Sequence, residues 1–194
     1  MSVPAIILAA GASRRLGHPK QLVRVGGETL LGRTIRLTLE AGASPIFVVL
    51  GAHRESIEAE VDLTGVQPVM NPDWERGIAS SIHTGVGAVE EAIPDAAGVL
   101  LQVCDQPRLT AGHLRKLMAA FDGAEQTSIA ASVYAGVAGI PAIFPAEQFD
   151  ALLGLRGDAG ARHLLRNPGC RLLTFAFDGG EVDVDTPADL DAVS

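Results

Sequence analysis

Leu8 to Leu22 reads LAAGASRRLGHPKQL, which places two glycines, several small side chains, Arg14, Arg15 and Lys20 directly behind a short apolar run. Glycine at position 11, flanked by small residues at 9, 10, 12 and 13, lets a backbone approach a ligand closely and aim N–H groups at it. Arg15 adds a planar fork and Lys20 a point charge, a pair suited to phosphate oxygens, with Arg14 as the spare charge. The plainer reading is a strand-to-helix turn with solvated bases, and the glycines alone favour it. The stretch is neither GxGxxG nor GxxxxGK[ST], and no ribose-binding acid follows at the expected position. Both facts argue against a Rossmann dehydrogenase, and the first against a P-loop NTPase.

VCDQP (Val103 to Pro107) puts Asp105 just past a second apolar run and before a proline. Asp105 could simply form a turn. Beside a polyphosphate, the same carboxylate could hold Mg²⁺ with few other protein ligands. NPDWERGIASSI (Asn71 to Ile82) leads into a helix whose first-turn N–H groups, with the hydroxyls of Ser80 and Ser81, would face such a ligand. The alternative has the serines capping the helix and Trp74 in the core. In VDVDTPADL (Val182 to Leu190), Asp185 precedes a Thr-Pro helix start, with Thr186 as cap, Pro187 in the first turn and Asp189 offsetting the dipole. His18, His53, His83, His113 and His163 show no metal-ligand spacing and read as surface or packing residues.

The elements that must position these residues follow from apolar periodicity. The continuous apolar run Pro4–Ala9 suits a strand buried on both faces, and SPIFVVLG (44–51) and GVLLQV (98–103) read as further buried strands. Further strands are expected at 65–70, 128–134, 140–144 and 171–175. Leu31, Ile35 and Leu39 mark a helix stopped at Gly42, and Ile78, Ile82, Val86 and Val89 mark another. Leu114, Leu117, Met118 and Phe121 mark a third, capped by Thr110. Short helices are expected at 53–61, 146–153 and 159–166, and a last one after Pro187. Alternating strands and helices predict an α/β protein, a three-layer Rossmann-like arrangement around a mainly parallel sheet. In such sheets the ligand sits beyond the carboxyl ends of the strands, where the basic loop and Asp105 both fall.

At 194 residues the chain is expected to form a single domain over 1–194, with no linker or internal repeat. Hydrophobic residues make up 47% against 4% aromatics, so the core is aliphatic. No apolar run reaches the ~20 residues a membrane helix needs, and VPAIILAA lacks the basic flank of a signal peptide. Cys104 and Cys170 form no CxxC pair, consistent with reduced thiols in a cytoplasm. The net charge of −8 argues against general nucleic-acid binding. Residues 14–36 nonetheless carry +5, leaving −13 for the rest, and 178–191 holds six acids and no base. A small anionic ligand beside carboxylates that hold a cation fits this asymmetry.

The pattern LAAGxSxRxGxPK resembles, residue for residue, the signature loop of the molybdenum cofactor cytidylyltransferases and their nucleotidyltransferase relatives. CDQP, NPxWxxGxxSSx, the Gly154–Leu165 stretch GLRGDAGARHLL, GIPAIF (Gly139 to Phe144) and DTPADL extend the resemblance over nearly the whole chain. Leu16 and Ile78 stand where the family usually has Met. The resemblance implies that Leu8, Ala9, Ala10, Gly11 and Ser13 line a nucleoside triphosphate, that Arg15 and Lys20 meet its phosphates, and that Gly77, Ser80 and Ser81 lie towards base and ribose. Asp105 and Asp185 would hold Mg²⁺, with Asp183 the weaker alternative to Asp185. Asp158 and Arg162 would face the second substrate. Ala10, where guanylyltransferase relatives carry glycine, points to CTP. The implied reaction is transfer of CMP from CTP to the phosphate of molybdopterin, with a molybdoenzyme as the eventual recipient. The rival readings are a guanylyltransferase, another NTP:phosphate nucleotidyltransferase, and a non-catalytic cofactor-delivery factor that would not need Asp105.

Overall fold

The computed structural model describes residues 2–184 and Asp189. In chain order the elements are β1 (Ala5–Leu8), β2 (Arg24–Val25), β3 (Glu28–Thr29), α1 (Leu30–Ala41), β4 (Ile46–Leu50), α2 (Arg54–Glu60) and β5 (Gln67–Met70). They continue with α3 (Ile78–Ala92), β6 (Gly98–Val103), α4 (Ala111–Gly123), β7 (Ile129–Tyr134), β8 (Val137–Pro145), α5 (Phe149–Leu153), α6 (Arg162–Leu165) and β9 (Leu172–Ala176). Seven strands form one sheet in the order β5-β4-β1-β6-β8-β7-β9. All pairings are parallel except those of β8, which runs antiparallel to both neighbours.

Side-chain alternation splits the core in two. Ala5 and Ile7 of β1 and Val48 of β4 meet Leu31 and Ile35 of α1, Ile57 of α2, and Leu114, Leu117 and Phe121 of α4. On the opposite face, Ile6, Leu8, Phe47 and Val49 meet Ile82, Val86 and Val89 of α3 with Phe149, Leu152 and Leu165. Helices thus cover both faces, which is why the central strands are apolar almost throughout rather than alternating, with Gln102 of β6 the buried exception.

The expected helix signals operate as physics requires. Thr110 Oγ1 accepts from the His113 N–H at 3.1 Å, and Gly42 stops α1 in the left-handed region at φ 90°. Leu39, read as part of the buried stripe of α1, is instead 44% exposed. A four-residue spacing turns 40° per step about a 3.6-residue helix, so the stripe drifts off the core by its third member. Thr34, Leu37, Thr38 and Ala41 occupy the interface there, and Gln102 on β6 donates to Thr38 Oγ1 at 2.6 Å. The helix expected at 159–166 contracts to Arg162–Leu165. The helix after Pro187 lies outside the described residues, apart from Asp189. Among the histidines, His113 is buried and hydrogen-bonded to Ser132 Oγ at 2.8 Å, and its ring stacks on Phe177. No helix among the described residues is long and apolar enough to cross a membrane.

Candidate active site

β1 lies between β4, the next strand of the seven-stranded sheet in chain order, and β6, the third after it in that sheet. Strand order reverses at this point, so the loops leaving β1 and β6 diverge and open a crevice. The first of these loops carries Gly11 to Lys20, and the second carries Cys104 to Pro107.

The loop after β1 is held by its carbonyls. Gln21 is wholly buried and donates from Nε2 to Ala9 O (2.7 Å) and Gly11 O (2.9 Å). The Ala52 N–H donates to Ala10 O at 3.0 Å, and His53 Nε2 lies 3.2 Å from Ala12 O. Four successive carbonyls are therefore tied to protein groups, which keeps their negative ends from an incoming anion. Ser13 closes the loop at φ 50°. Its carbonyl accepts from Leu16 and Gly17, and its Oγ accepts from the Lys20 N–H at 3.0 Å. Gly11 is not in the left-handed region, and a Cβ built there would meet no protein atom within 4 Å. Neither backbone strain nor packing requires glycine at 11. What a side chain would enter is the cavity itself.

Lys20 reaches from the short 3₁₀ turn Lys20–Leu22 to Asp105 at the end of β6, forming an ion pair between Nζ and Oδ2. The two side chains are 22% and 11% exposed. Asp105 Oδ1 is buried with no protein partner. Gln106 braces the turn, donating from Nε2 to Gly180 O at 2.9 Å, and the Val184 N–H donates to Asp105 O at 3.2 Å. The neighbouring thiol is no nucleophile: burial, with the charge of Asp105 adding to it, pushes the Cys104 pKa up to about 12.

The third wall is the start of α3. Asn71, also buried, donates from Nδ2 to Ser80 Oγ (2.9 Å) and Ser81 Oγ (3.0 Å) and accepts from the Asp73 N–H at 2.9 Å. Gly77 has φ 99°, and a Cβ there would lie 2.4 Å from the Gly157 carbonyl and 2.6 Å from Asp158 Oδ1. Glycine is required here on both counts. Gly157 O in turn accepts from the Ala79 N–H at 3.1 Å, which docks the Gly154–Gly160 loop onto the helix start.

These walls enclose a cavity of about 470 Å³ lined by Leu8, Ala10, Gly11, Ser13, Lys20, Gly77, Ser81, Asp105 and Asp158. The structure thus brings together nine of the residues singled out in the sequence, from four separate segments. Ala9 is buried behind the wall, tied through its carbonyl to Gln21. Ser80 turns away and lines a neighbouring cavity, its Oγ donating to Gly77 O (2.8 Å) and Asp73 O (2.9 Å). Arg14, read as the spare charge, borders the site in an exposed 3.5 Å pair with Glu75. Arg15 is exposed and is not among the lining residues. Arg162 lines an adjoining cavity of about 200 Å³ that shares Asp105 and includes Gln106, Tyr134 and Asp183. Burial raises the Tyr134 pKa, and Asp183 adds to the effect. Asp185 lies outside the described residues. Gln21 and Asn71 escaped the sequence reading: each lies inside a quoted stretch, Gln21 beside Lys20 and Asn71 at the head of NPDW, but its bracing role depends on contacts that no local pattern records.

Among the described residues, no group of three His, Cys, Asp or Glu side chains comes together to hold a metal. A hard cation would fit at Asp105, whose Oδ1 is a buried oxygen lacking a donor, and would take further oxygens from a ligand.

Residues 5–172 match the MobA-like NTP transferase domain. Among curated proteins, the chain is 31% identical over 199 residues to the purine catabolism protein PucB of Bacillus subtilis (strain 168), covering 97% of this chain and 94% of that one. It is 31% identical over 192 residues to the nicotine blue oxidoreductase of Paenarthrobacter nicotinovorans (95% and 92%). It is also 31% identical over 113 residues to a probable molybdenum cofactor guanylyltransferase of Opitutus terrae (57% and 52%). Among solved structures, Rv0371c from Mycobacterium tuberculosis H37Rv superposes with a TM-score of 0.86 at 31% identity, covering 100% of this chain and 97% of that one. The same protein complexed with manganese gives 0.81 at 27%, covering 100% and 98%. Matched sequence and fold agree with the crevice at the switch point: the chain belongs to the MobA-like NTP transferase family and is a nucleotidyltransferase by family.

Proposed function

We propose that this nucleotidyltransferase transfers CMP from CTP to the phosphate of molybdopterin and releases pyrophosphate. The observation that carries the reading is the Lys20–Asp105 pair at the foot of a glycine-bared crevice, with Asp105 Oδ1 left without a partner. An oxygen of the acceptor phosphate forms the new bond to the α-phosphorus. The bond from that phosphorus to the bridging oxygen of the β-phosphate breaks, and pyrophosphate leaves with the electron pair. The attacking oxygen is already anionic, so no general base is needed, and none of the histidines lines this cavity. Catalysis then consists of alignment and charge neutralisation.

Each residue has a task in that scheme. The loop from Ala10 to Ser13 would present the triphosphate with N–H groups, Gly11 would admit it closely, and Ala9, its N–H tied to Val49 O, would back the loop. Lys20 would follow the charge that develops on the phosphates, with Arg15 assisting at the leaving pyrophosphate. Gly77 and Ser81 would border base and ribose. Asp105, together with Asp185, would hold Mg²⁺, which when bound supplies positive charge to the triphosphate. The adjoining cavity supports the acceptor side: Arg162 and Asp158 stand at its approaches, and Ile78, Ile82, Leu101, Val103 and Ile140 give it apolar walls for a flat ring system. The product would pass to a molybdoenzyme in the cytoplasm.

The choice of CTP rests on Ala10, which lines the cavity. The Opitutus terrae relative, named as a guanylyltransferase, keeps the GTP reading in contention. A pyrophosphate-release assay with CTP, GTP and ATP, each with molybdopterin, decides between them. Release with CTP is the expected result. Release with GTP but not CTP would replace the cytidylyl assignment.

A further inference from the structure

Trp74 is the only tryptophan of the chain and, among the described residues, the only aromatic one lining the cavity of about 470 Å³. It is half-buried in the short 3₁₀ turn Trp74–Arg76, packed in part on the core and otherwise open to the cavity. Gly51, just past the end of β4, dictates where it sits. A Cβ built on Gly51 would lie 2.7 Å from Trp74 Cβ, 2.8 Å from Trp74 Cγ and 2.9 Å from Ala10 Cβ. Gly51 is outside the left-handed region, so space alone requires glycine there. The stem of the indole and the methyl group of Ala10 therefore share the room over one bare stretch of backbone. Asn71 fixes the turn, accepting from the Asp73 N–H at 2.9 Å, and the Gly77 N–H donates to Trp74 O at 3.3 Å.

β4 and β6 flank β1, so their ends stand two strand spacings apart, about 10 Å. A flat apolar face on the β4 side and an ammonium–carboxylate pair on the β6 side suit a ligand with a ring system at one end and phosphates at the other. Ala10 is 3% exposed, so a base can read little of it directly. Its methyl group acts through the indole beside it, keeping the ring forward and limiting the depth left for a base. A single-ring base fits before a ring held forward, whereas a two-ring base needs it to settle back.

We infer that Trp74 is the platform on which the nucleobase stacks, and that Ala10, beside it over Gly51, sets how far the indole stands into the cavity. Ala10 is then a positioning residue for base choice, and Trp74 the residue that meets the base. The inference rests on reading this cavity as an NTP site, but not on molybdopterin as acceptor.

The test titrates the full chain with the α,β-methylene analogues of CTP and GTP and with inorganic triphosphate, each with Mg²⁺. Binding is read by calorimetry and by tryptophan emission, which reports Trp74 alone. In the wild type both analogues are expected to quench the emission, whereas inorganic triphosphate binds and leaves it unchanged. Trp74→Leu keeps an apolar side chain over Gly51 without a flat face. It is expected to weaken analogue binding about tenfold, within the range for a base stacked on an aromatic ring. Its affinity for inorganic triphosphate should change less than about twofold, and Trp74→Phe should hold the analogues within about threefold of the wild type. Ala10→Gly is expected to raise the ratio of GTP-analogue to CTP-analogue affinity about tenfold, but no more than about twofold when combined with Trp74→Leu. The platform is overturned if the analogues bind without changing the emission, if inorganic triphosphate quenches as they do, or if a folded Trp74→Leu keeps their affinity. Should Trp74→Leu fail to fold, the wild-type emission decides alone. A ratio that shifts equally with and without Trp74→Leu overturns the role of Ala10. If neither the analogues nor inorganic triphosphate bind, the NTP reading falls and the platform with it. Analogues that bind while the emission stays constant remove only the platform.

Discussion

The first turn of α3 separates two cavities of nearly equal size, about 470 Å³ on the Lys20–Asp105 side and about 490 Å³ on the other. Both have arginines at their borders, Arg14 on the first and Arg76 and Arg156 on the second. What distinguishes them is the state of their polar groups. On the far side Thr84 Oγ1 donates to Ser80 O at 3.0 Å, Ser80 Oγ donates to two backbone carbonyls, and Arg156 Nη1 donates to Leu153 O and Leu155 O. The unpartnered atom there is the single ring nitrogen Nε2 of His83. On the near side a buried carboxylate oxygen is bare beside an ammonium, and the opposing loop presents backbone without side chain. Volume and surface arginines do not identify a site. Unmet buried charge and a missing Cβ with open space before it do.

Five substitutions would sharpen or break this contrast. The largest effect is expected from Asp105→Asn, which keeps the shape and an acceptor for Lys20 but removes the charge. Nucleotidyl transfer should fall by about 10³-fold in a pyrophosphate assay, with the melting temperature little changed. A variant that turns over normally would remove Asp105 from the chemistry. Gly77→Ala should come next, destabilising the fold by about 3 kcal/mol in urea unfolding. Its positive φ and the Gly157 carbonyl both oppose a methyl group at the wall the two cavities share. Gly11→Val should weaken nucleotide binding by about 30-fold by calorimetry and leave unfolding unaltered, because the added atoms enter open space. Equal losses of stability at positions 11 and 77 would refute the distinction drawn between those glycines. Smallest of all, Arg76→Ala and His83→Gln across the wall should each change nucleotide affinity by less than about twofold.

Much of the molecule was legible before the structure, for identifiable reasons. β1 and β4 are buried on both faces and so read as unbroken apolar runs, β6 does so apart from Gln102, and Gly42 and Thr110 mark helix ends by local chemistry alone. Other features depend on contacts that no local pattern records. β2 and β3 are two residues each and carry no period. The β7–β8 hairpin turns through Ala135 and Gly136, both at positive φ, without an Asn-Gly or Asp-Gly signal. At the site, the loop and Asp105 stood out by composition and position, but side-chain directions did not. Ser80 and Ser81 are consecutive, and consecutive helical residues point about 100° apart, so one serves each cavity. Likewise, Arg14 rather than Arg15 borders the crevice because the turn at Ser13 sets where each side chain emerges.

The most direct test of the account is to locate the metal. Crystals grown with Mn²⁺ and the α,β-methylene analogue of CTP would show it by anomalous scattering. The expected result is a peak against Asp105 Oδ1, with the analogue's phosphates along the loop from Ala10 to Ser13 and Lys20 displaced onto them. A peak in the cavity across α3, or an analogue bound there with the Lys20–Asp105 pair intact, would contradict it.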